Sequence, residues 1–363
     1  MHILMVSLDF PPVVGGISAS VYELSKALIE NGCKVSVITR KNSSKELSFE
    51  TIEDMDIYRV KLKSLGFLYG YQIDRFIKRK IKNIKPDIIH IHGMRPLEFY
   101  SIKEIPLVYT NHTSGYLKRI KKGGYRIALL KRLFEKPDLF LAPSKELLEI
   151  PFKIRAKKVF ISNGVVADKF RRDQKIREEI REKLKIKDSD ILAILTRRLV
   201  WKNGVRYLAL ATKYIKNPNL KLLLIGDGEE YEEIEKILKE NFKDRFFMLG
   251  SKRHDEIVEY YSAADISILP SLMEATSISG LEAMASSLAI VGTKVGGIPE
   301  IIKDGINGFL CEPTDPKDLA RKIDKLLECN YVEMGKKGRD IVLKEFDWNT
   351  IAKRVIKEYK EIL

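Results

Sequence analysis

The sequence predicts an α/β fold class, two Rossmann-like doubly wound parallel-sheet domains facing across a cleft. Three observations carry that expectation. Short apolar runs of strand length alternate with helical patterns along the whole chain. They fall into two series, separated by the highly charged stretch 168–190. The length of 363 residues exceeds what one hydrophobic core ordinarily fills and suits two.

The first series opens with an apolar run at 3–8, closed by Asp9-Phe10-Pro11-Pro12 and then Gly15-Gly16. Val21, Leu24, Leu28 and Ile29 follow at helical spacing, and Gly32 is the stop signal. Further strands are expected at 34–39, 57–60, 87–91, 107–109 and 139–142. The second series places strands at 191–195, 220–225, 246–249, 266–269, 289–291 and 308–310, joined by helical patterns that include 229–241 and 278–286. Residues 168–190 read as a linker with a short helix. The helix over 349–362 has no strand after it and is free to pack on either domain. The expected boundaries are 1–166, 167–348 and 349–363, the last packing back on the first domain. In sheets of this kind ligands sit beyond the carboxyl ends of the strands, so chemistry is sought in the loops there.

Composition excludes several classes. With 45% hydrophobic residues, 32% charged residues and no biased tract, the chain is neither fibrous nor disordered. The start MHILMVSLDF lacks the basic segment and cleavage site of a leader, and no apolar run reaches 18 residues. A cytoplasmic location is expected. Cys33, Cys311 and Cys329 are far apart and form no CxxC pair, so neither a zinc site nor a disulfide framework is indicated. Asp54-Met55-Asp56 and Asp188-Ser189-Asp190 match the Asp-x-Asp pattern of metal sites, but such strings arise by chance among 50 acidic residues. No metal and no cofactor are expected. Glutamine occurs only at Gln72 and Gln174 while Lys, Glu and Ile abound, a bias of thermophiles.

The formal charge of +15 is uneven: residues 1–170 hold 30 Lys/Arg against 17 Asp/Glu, and residues 171–363 hold 35 against 33. A basic first half attracts polyanions. Nucleic-acid signatures are missing, so no nucleic acid is expected and an anionic membrane surface is favoured. The stretch 118–136 holds eight Lys/Arg and one acid, Glu135, with Ile120, Ile127, Leu130, Leu133 and Phe134 interleaved. A basic amphipathic helix can lie on anionic lipid, peripherally, although the same pattern serves an ordinary solvated helix.

The most informative string is Pro270-Ser271-Leu272-Met273-Glu274-Ala275-Thr276-Ser277-Ile278-Ser279-Gly280-Leu281-Glu282-Ala283-Met284-Ala285. A strand ends in Pro-Ser, and a helix starts shortly after. Free amides at such a helix start, near Ser277 and Ile278, can receive a diphosphate. The carboxylates of Glu274 and Glu282 can accept hydrogen bonds from sugar and ribose hydroxyls. The pattern also suits a capped surface helix with solvated glutamates.

The Glu-x7-Glu spacing inside PS..E…….EAMA resembles the signature of the retaining GT-B glycosyltransferases of family 4 (glycosyl transferases group 1). Other strings resemble the family's elements in the expected order: Arg198-Leu199-Val200-Trp201-Lys202-Asn203-Gly204, Ile225-Gly226-Asp227-Gly228, Gly296-Gly297-Ile298-Pro299-Glu300, Gly305-Ile306-Asn307-Gly308-Phe309 and Ser162-Asn163-Gly164-Val165. The likeness covers nearly the whole chain and is weakest over 41–85. It implies an acceptor-side first domain and a donor-nucleotide-binding second domain. Glu274 would contact the donor hexose near the reacting carbon, and Glu282 would hold the ribose hydroxyls. Arg198 and Lys202 would neutralise the diphosphate as charge builds on the leaving group. Gly226, Ser277 and Ile278 would line the donor site, and Gly15 and Gly16 would lie against donor phosphate or acceptor. His112, after the strand ending at Tyr109, would stand near the donor sugar. His90 and His92 alternate on one strand and so share a face; His92 is the better placed for the cleft, and packing suits both.

The chain departs from the family twice. Ala275, Thr276 and Ser277 stand where glycines are usual after the first glutamate, and Arg197 replaces the glycine of GRL, where it would only add a surface charge. The expected activity is metal-independent transfer of a hexose, with retention, from a UDP- or GDP-sugar to a lipid, polysaccharide or small-molecule acceptor. The segment 251–253 would edge the base pocket. A sugar-nucleotide epimerase on the same fold and a polyanion-binding protein are the rival readings. The epimerase would need general acid-base groups that only scattered histidines supply.

Overall fold

The computed structural model describes residues 1–13, 15–62, 68–112, 120 and 123–363. The chain divides into two compact units, Met1–Gly164 with Trp348–Leu363, and Val165–Asp347.

The first unit holds β1 (His2–Ser7), β2 (Lys34–Arg40), β3 (Phe49–Ile52), β4 (Met55–Val60), β5 (Ile88–His92), β6 (Leu107–Thr110), β7 (Leu139–Ala142) and β8 (Lys157–Phe160). They order as β3-β4-β2-β1-β5-β6-β7-β8. Every neighbouring pair is parallel except the β3–β4 hairpin. Ile3, Leu4, Met5 and Val6 are all fully buried, as befits a strand covered on both faces. Two strands escape the sequence pattern. Phe49-Glu50-Thr51-Ile52 and Lys157-Lys158-Val159-Phe160 are half polar and largely exposed at the sheet edges. Their pairing comes from the neighbouring strand, and edge charges of this kind deter unwanted pairing.

The helix Trp348–Lys360 belongs to this unit. Ile351, Val355 and Tyr359 recur every fourth residue, so they share one helix face. That face is buried in the same core as Val21, Leu24 and Leu28 of the helix Gly16–Glu30.

The second unit is wholly parallel: β9 (Ile191–Thr196), β10 (Leu220–Ile225), β11 (Phe246–Met248), β12 (Ile266–Leu269), β13 (Ala289–Thr293) and β14 (Gly308–Cys311), ordered β11-β10-β9-β12-β13-β14. All six expected strands are present. Alternation sends Leu192 and Ile194 into one core and Ala193 and Leu195 into the other, so each strand feeds both faces.

The short helix expected within residues 168–190 is present, but the stretch is part of the second unit and not a linker. The helix Gln174–Lys183, capped by Asp173 on the amide of Ile176, packs on the helix His254–Ala263 within this unit. Asp265 receives Arg177 at 2.6 Å and Arg181 at 3.0 Å, with Arg172 at 3.6 Å. Arg181 also donates to the carbonyls of Lys187 at 2.9 Å and Asp190 at 2.8 Å. The charge density that reads as solvated linker is instead consumed by a part-buried ion network. Asp190 itself pairs with Lys221 at 2.9 Å.

Candidate functional site

In the second unit the loops after β9, β10, β12 and β13 meet at the carboxyl edge of the sheet. Ser277 caps the helix Ile278–Ala285, its hydroxyl accepting from the amide of Gly280 at 3.2 Å. The first amides of a helix have no intrahelical partner, and they lie at the positive end of its dipole. The turn Trp201–Asn203 backs onto the loop before this helix, because the carbonyl of Lys202 accepts from the amides of Leu272 at 2.9 Å and Met273 at 3.1 Å. The side chains of Arg198 and Lys202 are exposed and engage no other described residue. Gly226, at φ +148°, is required by proximity, since a Cβ there would overlap the carbonyl oxygen of Arg197. Gly296, at φ +50°, is likewise pressed against the carbonyl of Glu274. Any side chain at either position would force these loops apart.

Arg197 is not a surface charge. Its side chain is 9% exposed and reaches from the end of β9 to the carboxylate of Glu274, the hydroxyl of Ser271 and, at 3.3 Å, the hydroxyl of Ser277. Of its three anchors, Ser277 is one of the residues that stand where the resemblance would place glycine, and its hydroxyl helps to hold the guanidinium inward.

Glu282 is 5% exposed, with both carboxylate oxygens engaged. One meets His254 Nε2 at 2.6 Å; the other accepts from the Tyr261 hydroxyl at 3.3 Å. Burial and this carboxylate push the Tyr261 phenol well up, so it stays a neutral donor. His254 is exposed on its outer side and flanked by the Phe170 ring, with centroids 5.6 Å apart. Glu274, Ser277, Ile278, Glu282, Gly226, Arg198 and Lys202 thus lie on adjoining loops and one helix.

The other expected residues lie in the first unit. Gly15 and Gly16 form the exposed turn into the helix Gly16–Glu30, and a Cβ at either would meet nothing within 4 Å. His90 and His92 share a face of β5, their rings 4.0 Å apart. His90 is saturated, meeting the hydroxyls of Tyr359 and Thr110, each at 2.6 Å. His92 Nδ1 lies 2.8 Å from His112 Nε2. Burial drives all three imidazoles toward the neutral form, His90 to about 3, His112 to about 4 and His92 well below its usual value. Lys118, Lys121 and Lys122 lie outside the described residues. The helix Tyr125–Phe134 buries Leu130, Leu133 and Phe134 and leaves Tyr125 and Leu129 exposed. Among the described residues no helix is long and apolar enough to cross a membrane, and no group of three or more His, Cys, Asp or Glu is arranged to hold a metal.

The family model described as Glycosyl transferases group 1 matches residues 176–341, and that described as Glycosyltransferase Family 4 matches residues 14–169. The chain is a family 4 glycosyltransferase. An uncharacterized glycosyltransferase of Methanocaldococcus jannaschii is 27% identical over 384 residues, covering 99% of this chain and 98% of the relative. An alpha-monoglucosyldiacylglycerol synthase of Acholeplasma laidlawii is 27% identical over 338 residues, covering 85% of this chain and 84% of the relative. The crystal structure of Anabaena HepE in complex with UDP-glucose superposes with a TM-score of 0.79 at 20% identity, covering 99% of this chain and 100% of that one. The enzyme therefore transfers sugar and has the GT-B architecture of two Rossmann-like domains.

Sequence reasoning missed Arg197, His254, Tyr261 and Ser271 in this glycosyltransferase. One signal was available for Arg197. A bulky cation standing where close approach favours glycine must either leave the site or occupy it. His254 and Tyr261 carry no local signal, because their contact with Glu282 spans 28 and 21 residues.

Proposed function

We propose that the enzyme moves a hexose, with retention and without a metal, from a UDP- or GDP-sugar held by the second unit. The observation that carries this is the grouping of Glu274, the Ser277-capped helix start and buried Glu282 on loops bearing the exposed cations Arg198 and Lys202. A diphosphate suits the helix amides and the two cations, which stabilise the charge growing on the leaving group. Glu274 addresses the hexose, and Glu282, through the oxygens that His254 and Tyr261 now occupy, addresses the ribose. The UDP-glucose bound to the structurally similar Anabaena protein supports a nucleotide-sugar donor. His112 is the residue of the first unit assigned to the reaction.

The acceptor is a lipid, a polysaccharide or a small molecule. The Acholeplasma relative, by its name, makes a glucosyl lipid, which supports the first. Exposed Tyr125 and Leu129 beside Lys131 and Arg132 support peripheral contact with an anionic bilayer. Leu129→Ser with Lys131→Gln and Arg132→Gln would then cut sedimentation with vesicles rich in anionic lipid; unchanged sedimentation removes this membrane reading.

The test of the donor site is thermal stability against UDP-, GDP- and ADP-sugars with EDTA present. A ligand that binds only the folded state raises Tm, and 100 times Kd adds about 2.7 kcal/mol. One clear responder names the donor. No response from any nucleotide, or full turnover in Glu274→Ala or Lys202→Ala, overturns the assignment.

A further inference from the structure

His92 presents an unusual combination. Its Nδ1 meets His112 Nε2 at 2.8 Å, yet its Nε2 is buried without a partner among the described residues. The hydroxyl of Ser20, on the helix that follows Gly15 and Gly16, is likewise buried and unpartnered. Both residues line one cavity of about 20 Å³, which Ser162, Trp348, Val355 and His112 also line. A buried polar atom without a hydrogen bond costs about 1–3 kcal/mol, so two facing one small cavity point to a shared guest. One water needs about 10–15 Å³ and two or more polar partners, and the cavity meets both conditions.

We infer that His92 is the positioning residue for His112, and that an internal water between His92 Nε2 and Ser20 Oγ completes a relay in which both imidazoles carry their proton on Nε2. Neutral imidazoles carry one ring proton each, so the Nδ1···Nε2 contact allows two arrangements only. In one, both rings are protonated at Nδ1. In the other both are protonated at Nε2, the intrinsically commoner tautomer of a free imidazole. The second sends the His92 Nε2 proton to the water, and the water donates to Ser20. His92 Nδ1 then accepts from His112 Nε2, and His112 is left with a bare Nδ1. His112 thereby offers an acceptor, held in one ring orientation, to whatever approaches it. Burial of the neutral rings keeps a second proton from breaking the pattern.

The role of His112 in turnover rests on the proposed function, whereas the tautomer does not, and the experiment separates them. Imidazole nitrogen–proton correlation spectra of isotope-labelled protein should show fixed Nε2–H tautomers for His92 and His112. The His92 proton should be shielded from exchange and shifted in Ser20→Ala. Averaged tautomers in the unaltered enzyme overturn the inference, and that spectrum needs no variant to fold. In turnover, His92→Phe should lower kcat about tenfold or more with donor KM little changed, while His92→Asn, whose amide reaches the Nδ1 position, restores part of it. Full kcat in folded His92→Phe overturns the positioning role. Full activity in His112→Ala would instead sink the assignment of His112 to the reaction and leave the spectrum to decide the relay.

Discussion

Arg197 and Glu274 form an ion pair across the mouth of the second unit, with side chains only 9% and 17% exposed. One residue follows β9 and the other follows β12, two strands that are neighbours in the sheet and far apart in the chain. The guanidinium also holds Ser271 and Ser277, so it ties the loop bearing Glu274 to the cap of the adjoining helix. A charge-assisted clamp thus holds these loops together.

Arg197→Gly, which restores the residue usual in the family, therefore should not improve the enzyme. Losing the partner of a mostly buried carboxylate costs about 1–3 kcal/mol and frees Glu274 to move. Turnover should fall about tenfold or more, because small misplacements of a contacting group are costly. Arg197→Lys, which keeps charge but not the fork, should fall between. Steady-state kinetics with urea melts check this, and unchanged kcat in Arg197→Gly would show that Glu274 holds its place unaided.

Glu282 is kept in one rotamer by His254 and Tyr261, so donor affinity should depend on all three. Glu282→Ala should abolish the Tm rise given by the best nucleotide, and Tyr261→Phe should halve it or more. His254→Ala should raise donor KM with little effect on kcat, the signature of lost binding shared by ground and transition states. A full Tm response in Glu282→Ala would dissociate this carboxylate from the donor.

Asp265 gathers three arginines. Asp265→Asn should lower the stability of the second unit by about 3–5 kcal/mol, since the remaining cations are left part-buried and unpaired. Urea denaturation followed by Trp201 fluorescence measures this. A change below about 1 kcal/mol would mean the arginines are satisfied by backbone carbonyls alone.

The buried histidines set an acid limit on the first unit. His90 is held at about 3, against an unfolded value of 6.5. Above pH 6.5 it is neutral in both states and costs nothing. As pH falls below 6.5 only the unfolded chain takes up the proton, so stability declines down to about pH 3. The slope is about 1.4 kcal/mol per pH unit for each histidine that stays neutral. His90→Gln should flatten that slope in pH-dependent melts, and an unaltered slope would assign the acid sensitivity to other groups.

The sequence by itself determined the two-sheet class, all six strands of the second unit and the loops on which Glu274, Ser277 and Glu282 stand. Those features are local. Apolar runs of strand length, a helix cap and glycines at close approaches are written in neighbouring residues, and parallel sheets buried on both faces make the runs plain. The tertiary structure alone decided the rest. Edge strands β3 and β8 owe their form to pairing, and the arginines of the short helix expected within 168–190 owe their burial to Asp265. The inward turn of Arg197, the His254–Glu282–Tyr261 contact and the His92–His112 pair each join residues 20 or more apart in the chain. A charge or an imidazole has the same pattern in sequence whether it ends in water or against a partner. Only the packing of the chain removes the water, and burial without water is what turns these groups from surface decoration into a site.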